Sequence, residues 1–504
     1  MAGTSRSGAS TPRPTEVDVL VIGAGISGIG VAHHLATLRP GQTFAVLESR
    51  AEIGGTWSLF RYPGVRSDSD MPTFGYGFRP WPHRTTIAEG RTILEYLRDT
   101  IDEADIGEHL HFGHRVTAAD FDSATGHWTV TTEVAGSGAT AVFVSRFLFL
   151  GTGYYDYESA HTPDFPGAEA FEGQVIHPQF WPEDLDYQGK RVVVIGSGAT
   201  AITLVPSMAK YARHVTMLQR SPSYVLTIPA DDAIGAALRT LLGPERAYRL
   251  VRRRNIALHR ILFRLCRRLP KLMRRALIGH VRSRLPRHFD VDTHFSPRYN
   301  PWDQRLCMTP NGELFRTIAS GQASVVTDHI ARFTRDGILL ESGQELAADL
   351  IVTATGLRTL PFGQVALSVD GAPVHLPDRV AFKAMMLSGV PNLAYAIGYS
   401  NISWTLKVDL VAEHLCRLLD HMDTHGYDVV EPVLDDSAGT ERLPLLDLDA
   451  GYVQRGIDDF PSAGAAGPWT LAHAYEADVD RLRHGPVEDP ALRFTTVPRP
   501  ARVG

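Results

Sequence analysis

An α/β architecture holding two Rossmann-like dinucleotide-binding domains and a helical insertion is what this sequence predicts, and three stretches predict it. Residues 17–28, VDVLVIGAGISG, open with five apolar residues in six and end in the spacing G-x-G-x-x-G at Gly23, Gly25 and Gly28. Residues 191–201, RVVVIGSGATA, repeat the design with Gly196, Gly198 and Ala201. Residues 346–356, LAADLIVTATG, form one more apolar run ending at a glycine. A strand buried on both faces, emptied into a glycine turn and then a helix, makes a phosphate cradle. The first glycine permits the tight turn, the second lets backbone approach a pyrophosphate, and the third small residue packs the helix on the sheet. One fingerprint is a weak signal, and coincidental Gly-rich turns would explain it. Two in strand, turn and helix context are a strong signal.

Composition bounds the rest. A chain of 504 residues exceeds one hydrophobic core and fits about three domains. Ordinary glycine and proline usage argues against a fibrous or wholly disordered chain, and a formal charge of -6 gives no reason to expect nucleic acid. Cys266, Cys307 and Cys416 are odd in number and far apart, which excludes a disulfide framework or a cysteine metal cluster and fits a reducing, cytoplasmic setting. No run of about 18 apolar residues is present to span a membrane.

Taken in order, residues 1–16 are a Ser-, Thr-, Pro- and Gly-rich lead expected to be disordered, unlike a signal peptide. After the first turn a short helix runs to Leu38 and is ended by Pro40 and Gly41. The second strand, TFAVLE, ends at Glu48, whose carboxylate suits ribose hydroxyls. Gly55, Thr56 and Trp57 follow in a second Gly-rich stretch that fits backbone laid on a flat ligand, a bare turn being the alternative. Residues 60–82 are a long polar and aromatic loop, the kind that carries function in an α/β protein. Helical periodicity returns over 87–106. Two strands split by Gly136 and Gly138 form a hairpin, and the second runs into Gly151 and Gly153.

Beyond the second fingerprint the strand HVTMLQR ends at Gln219 and Arg220 where the first unit has an acid. An arginine there meets a 2'-phosphate that a carboxylate would repel, and Ser221 is placed to share it. One acidic and one basic site imply two cofactors, FAD on the first and NADPH on the second. Residues 246–287 then carry fifteen Lys or Arg and no Asp or Glu, with leucines and isoleucines at helical spacing. A helical cap over a cofactor cleft is the first reading of this segment; a membrane or partner surface is the second. The expected division is 17–155 with 350–430 for FAD, 156–228 with 318–349 for NADPH, 229–317 for the basic insertion and an active-site loop, and 431–504 as a surface-wrapping tail.

Residues 171–182, FEGQVIHPQFWP, read F-x-G-x-x-x-H-x-x-x-W-P. Between two fingerprints in this order, the stretch resembles the signature of the type I Baeyer-Villiger monooxygenases, a branch of the class B flavoprotein monooxygenases. The resemblance covers nearly the whole chain after residue 16. It is closest to the ethionamide-activating monooxygenase subgroup, through HFSPRYNPWDQRLC, GYSNISWTLK and GYVQRG. It implies a cycle in which NADPH reduces FAD, oxygen adds to form a C4a-peroxyflavin, and a ketone becomes an ester or lactone, with thioether sulfur as a further acceptor. By the same resemblance Arg305 is the active-site arginine, whose permanent charge suits a centre where oxygen becomes anionic, and Asp68 is the carboxylate that orients it. His177 and Trp181 are expected to act as linker and hinge groups rather than in chemistry. Tyr299, Trp302, Asn401, Ser403 and Trp404 are pocket candidates by position. Gln304 departs from the family, where lysine commonly precedes the arginine. Three alternatives stand: an S- or N-oxygenating flavin monooxygenase with little ketone activity; a disulfide oxidoreductase, which the scattered cysteines disfavour; and a non-enzymatic flavoprotein or redox scaffold, which the presence of both Asp68 and Arg305 disfavours. No metal is called for.

Overall fold

The computed structural model describes residues 14–435, 439–472 and 474–498. Its core is built from two parallel sheets, each organised around one fingerprint strand. In the first, β1 (Thr15–Ile22) leads through α1 (Ile26–Leu38) to β2 (Phe44–Leu47), and β1 lies parallel between β2 and β3 (Ala139–Leu150). Val19, Leu20, Val21 and all of β2 are buried because α1 covers one face and a layer of antiparallel strands and tail residues covers the other. The sheet extends from β3 into the hairpin partner His127–Val134 and then His114–Asp122, so the glycine-split hairpin is present.

The second sheet follows the same logic. β4 (Arg191–Ile195), α2 (Ala199–Met208) and β5 (His214–Gln219) form its first unit. Next come three helices of the basic insertion, α3 (Ala233–Leu242), α4 (Pro244–Arg268) and α5 (Pro270–Arg282). β6 (Ala323–Thr327) and β7 (Leu350–Thr353) complete a sheet ordered β6, β5, β4, β7 and Gln174–Ile176, all parallel. That order reverses between β4 and β7, which makes the crevice beside the α2 N-terminus the place for a ligand. The predicted fold class is borne out.

Several expected boundaries move. Residues 1–13 of the expected lead lie outside the described residues, but Thr15 and Glu16 already belong to β1, paired with Phe143 and Val144. The run 346–356 is not one strand. Glu345–Ala347 closes an antiparallel hairpin on Gly337–Leu340, and the chain then turns at Asp349, whose carboxylate takes the Arg191 backbone N–H at 2.7 Å and its guanidinium at 2.6 Å. Periodicity cannot register such a side-chain clamp. β7 beyond it belongs to the second sheet, not the first, so the return to the first domain starts after Thr353 and reaches the sheet at Leu393–Tyr395 beside β3. The insertion also ends earlier than 317: Cys307–Pro310 pairs with Val225–Ile228, and Leu314 and Phe315 pack in the core of the second domain.

α6 (Thr405–His425) packs against α1 under the first sheet. The tail does more than wrap the surface. Leu445, Leu446 and Phe460 enter the first domain's core, and Asp478 reaches the buried ammonium of Lys407 at 2.8 Å. Both side chains are 2–3 % exposed. Burial most of all, partly offset by Asp478, holds the Lys407 pKa below the ordinary lysine value.

Candidate functional site

The first cradle is shaped by backbone that tolerates no side chain. Gly23 has φ +100°, and a Cβ there would lie 2.9 Å from the Gly151 carbonyl oxygen. A Cβ on Gly28 would sit 1.8 Å from the carbonyl oxygen of Gly23. Gly25 is the N-cap of α1 and offers no side chain to cap it, so the first N–H groups of the helix are left to an anion. Gly25 faces Gly55 across the turn, which itself has φ +54°. Glu48 is buried and fixes the loop: its carboxylate accepts the N–H of Ala24 at 2.8 Å and of Arg50 at 3.0 Å. Thr56 and Trp57 open the short helix Thr56–Leu59, and Trp57 meets Phe74 edge to face at 5.5 Å.

The second cradle is related. Gly196 has φ +140° and passes so close to the Ala354 carbonyl that a Cβ would lie 2.3 Å from it. Gly198 caps α2 with open space in front. Ala201 is fully buried between α2 and the sheet, so it packs the helix rather than facing a ligand. Arg220 and Ser221 are exposed just past β5, and the Ser221 carbonyl accepts the Ser197 hydroxyl at 2.9 Å.

Between the two cradles lies a cavity of about 240 Å³. Gly25, Gly55, Thr56 and Trp57 line it from the first domain, Ala199 and Thr200 from the second, and Arg305 and Asp68 face each other on its wall. The Arg305 guanidinium donates to Asp68 Oδ1 at 3.2 Å and to the Ser69 hydroxyl at 3.2 Å. Burial opposes its charge, but Asp68 and the phenols of Tyr452, Tyr154 and Tyr155 together outweigh that and raise its pKa. Burial likewise raises the pKa of those three phenols, so they remain protonated and able to donate. At working pH the centre holds a fixed cation inside a ring of neutral hydroxyls.

Sequence reasoning missed the three tyrosines. Tyr154 and Tyr155 follow Gly151 and Gly153 at the carboxyl end of a buried strand, where α/β sheets place ligands, and that position was the available signal. Tyr452 and Arg455 sit in and just after the short helix Gly451–Gln454. Arg455 is close enough to Arg220 that, after burial, the Arg220 charge is what lowers its pKa. Of the five pocket candidates, Trp404 lines the cavity and donates its indole N–H to Ser27 at 2.8 Å. Tyr299 and Trp302 instead pack with Tyr224 and Cys266 beneath the insertion. Ser403 is buried on Thr73, and Asn401 borders a smaller neighbouring pocket with Lys407 and Asp478.

His177 bridges the domains. Its Nε2–H donates to the Gly356 carbonyl at 3.2 Å, Nδ1 accepts the Gln179 N–H at 3.1 Å, and burial depresses its pKa, which keeps it neutral. Beside it the domains are joined by an antiparallel pair, Tyr155–Ala160 with Leu357–Thr359. The cysteines are buried free thiols, and burial pushes Cys307, two residues from Arg305, up to about 12. Such a thiol is no redox nucleophile at neutral pH.

Residues 16–370 match the family model described as FMO-like, flavin-binding monooxygenase-like. Over 489 residues the chain is 48 % identical to the FAD-containing monooxygenase EthA of Mycobacterium tuberculosis, covering 97 % of this chain and 99 % of that protein. It is 50 % identical over 481 residues to MymA of the same organism, covering 95 % and 97 %. The fold matches a steroid monooxygenase bound to NADP with a TM-score of 0.77 at 21 % identity, over 96 % of this chain and all of that one. It matches an open structure of cyclohexanone monooxygenase with a TM-score of 0.73 at 20 % identity, over 96 % and 100 %. The two cradles, the wall they share and these matches lead to one conclusion: the chain belongs to the flavin-binding monooxygenase-like family.

Proposed function

We propose that the protein is an NADPH- and FAD-dependent Baeyer-Villiger monooxygenase that converts ketones to esters or lactones and also oxidises thioether sulfur. The observation that carries this reading is the Arg305–Asp68 pair on the wall of a cavity that both cradles line. The glycine turns fit the two dinucleotides, because the room a Cβ would occupy at Gly25 and Gly198 is left for ligand. FAD reduced by NADPH supplies the activated oxygen when bound. The chain does the rest. Arg305 stabilises negative charge on the substrate oxygen, Asp68 and Ser69 hold the guanidinium in place, and Trp57, Phe74 and Trp404 keep water from the centre. The reading includes a small-molecule ketone or thioether as substrate, and a peripheral membrane contact through residues 246–287.

The test is NADPH oxidation by the FAD-loaded protein with linear, cyclic and aryl ketones and thioethers, products identified by mass. Ketone-dependent insertion of one oxygen supports the reading; sulfoxides alone would replace it with the S-oxygenating alternative. Two variants sharpen it. Asp68→Ala is expected to slow oxygenation about 10- to 100-fold with flavin retained, and Asp68→Asn to lose less, because it keeps one hydrogen bond but no charge. Rapid-mixing absorbance of bound flavin reads both. Arg220→Ala is expected to raise KM for NADPH roughly tenfold or more while leaving NADH nearly unchanged, since only NADPH carries the 2'-phosphate. Gln304, turned to the Asp449 carbonyl at 3.4 Å, adds no charge there, so discrimination falls on Arg220 with Arg455 beside it. Steady-state kinetics with the two nicotinamides measure it, and an equal loss with both would remove Arg220 from that role.

A further inference from the structure

Among the described residues sixteen large apolar side chains are exposed, and nine of them fall between 234 and 272. Scattered singly they would be ordinary; gathered on one insertion they call for an occupant. α4 shows how they are arranged. Its inner side holds Asp70 through Asn255 at 2.7 Å and His259 at 2.8 Å, packs Ile256 on Ile402 and Leu406, and sends Arg252 to the Gly75 carbonyl. Opposite that side, at helical spacing, stand Leu250, Leu258, Ile261 and Leu265, from 39 to 56 % exposed. Leu269 and Leu272 continue the stripe into α5.

Charge is divided between paired and unpaired groups. Three arginines of α4 are paired with carboxylates of neighbouring segments: Arg254 with Asp232, Arg260 with Glu476 and Arg267 with Asp303. Arg246, Arg249, Arg253, Arg264, Arg268 and Lys271 are exposed, and no carboxylate pairs with them among the described residues. A leucine stripe bordered by unpaired arginines, whose long stems follow apolar surface while their heads stay at the polar boundary, matches the interface of an anionic bilayer. A second copy of the chain would bring like charges face to face.

We propose that the outer face of α4 and the start of α5 docks on an anionic lipid bilayer, and that the enzyme draws lipophilic substrates dissolved in it. Ser69 and Ile402 line the cavity, and both are backed by α4, through Asp70 and Ile256. The thickness of one helix, about 10 Å, separates the docking stripe from the cavity wall. The substrate half of the proposal rests on the monooxygenase reading; the docking half deepens the membrane contact proposed with it and does not depend on the chemistry.

The holoenzyme is sedimented with vesicles of phosphatidylcholine alone or with added phosphatidylglycerol. Binding is expected only to the anionic vesicles, weaker at high salt, and roughly tenfold or more weaker in L258E/I261E. Both positions are exposed, and flavin absorbance verifies that the variant is folded. No binding by the unaltered enzyme at low salt, or equal binding by the variant, would overturn docking. So would a vesicle-independent dimer that the variant dissociates, since the patch would then belong to a second copy. For delivery, turnover of 2-dodecanone held in anionic vesicles is expected to fall severalfold in L258E/I261E, with water-soluble butanone unaffected. Equal turnover of 2-dodecanone by both proteins would overturn delivery. If neither ketone reacts while vesicles still bind, the chemical reading fails and docking stands.

Discussion

Arg305→Ala is expected to cut oxygenated product by about 10²–10³-fold while the protein still holds its flavin. The guanidinium is anchored by Asp68 and Ser69, and the phenols around it are neutral. Arg66 also lines the cavity but is paired with Glu313 at 2.8 Å, so stabilising the substrate oxygen as it becomes negative falls to Arg305. Gly23, Gly28 and Glu48, which shape the first cradle, lie behind the turn after β1, away from Arg305. Flavin content should therefore survive, and NADPH oxidation should continue with peroxide as its product. Flavin absorbance, product mass and peroxide release in parallel separate these outcomes. Near-normal ester formation would dismiss Arg305 from the chemistry, and loss of flavin would mean it serves the cradle instead.

Gly28→Ala is expected to be the most damaging single-methyl change, giving protein with little or no flavin and lower thermal stability. The added Cβ would lie 1.8 Å from the Gly23 carbonyl oxygen and 3.0 Å from its carbon. Neither is the end of a flexible side chain, so the start of α1 must slide from the sheet. That displaces the N–H groups offered at Gly25 and the Ala24 N–H that Glu48 holds. The cost belongs with overpacked, strained sites, about 1–3 kcal/mol, in addition to the stabilisation lost with the ligand. Flavin absorbance of the purified variant and a thermal melt with and without added FAD measure both parts. A variant that binds flavin and melts normally would show that the turn can relax. Gly136→Ala, where a Cβ meets nothing within 4 Å although φ is +78°, supplies the comparison for backbone strain alone.

Much of the fold was legible because glycine requirements are local. Gly23 and Gly196 are dictated by the carbonyls of Gly151 and Ala354 passing behind them. What could not be read depends on contacts between distant segments. Tyr452 reaches the surroundings of Arg305 from a one-turn helix 147 residues later, too short for any periodicity to announce it. Asp349 breaks an apolar run by clamping Arg191, and hydrophobic pattern contains no term for that. Tyr299 and Trp302 shared a stretch with Arg305, yet turn toward Tyr224 and Cys266, because in an irregular loop neighbours in sequence need not share a face. The basic insertion was ambiguous for a different reason. α4 has one side packed on Asp70, Ile402 and Leu406 and another that carries exposed leucines, and composition does not assign residues to sides.

The tail bears on how the protein is made. A nascent chain still attached to the ribosome before residue 450 lacks the phenol of Tyr452, and before residue 478 it lacks the only carboxylate that reaches the Lys407 ammonium among the described residues. An ammonium enclosed without its counterion costs about 3–5 kcal/mol, so the Lys407 site closes with Asp478 and not before it. Both nucleotide cradles can therefore emerge before residue 450, but the surroundings of Arg305 are finished only after Tyr452 has been added.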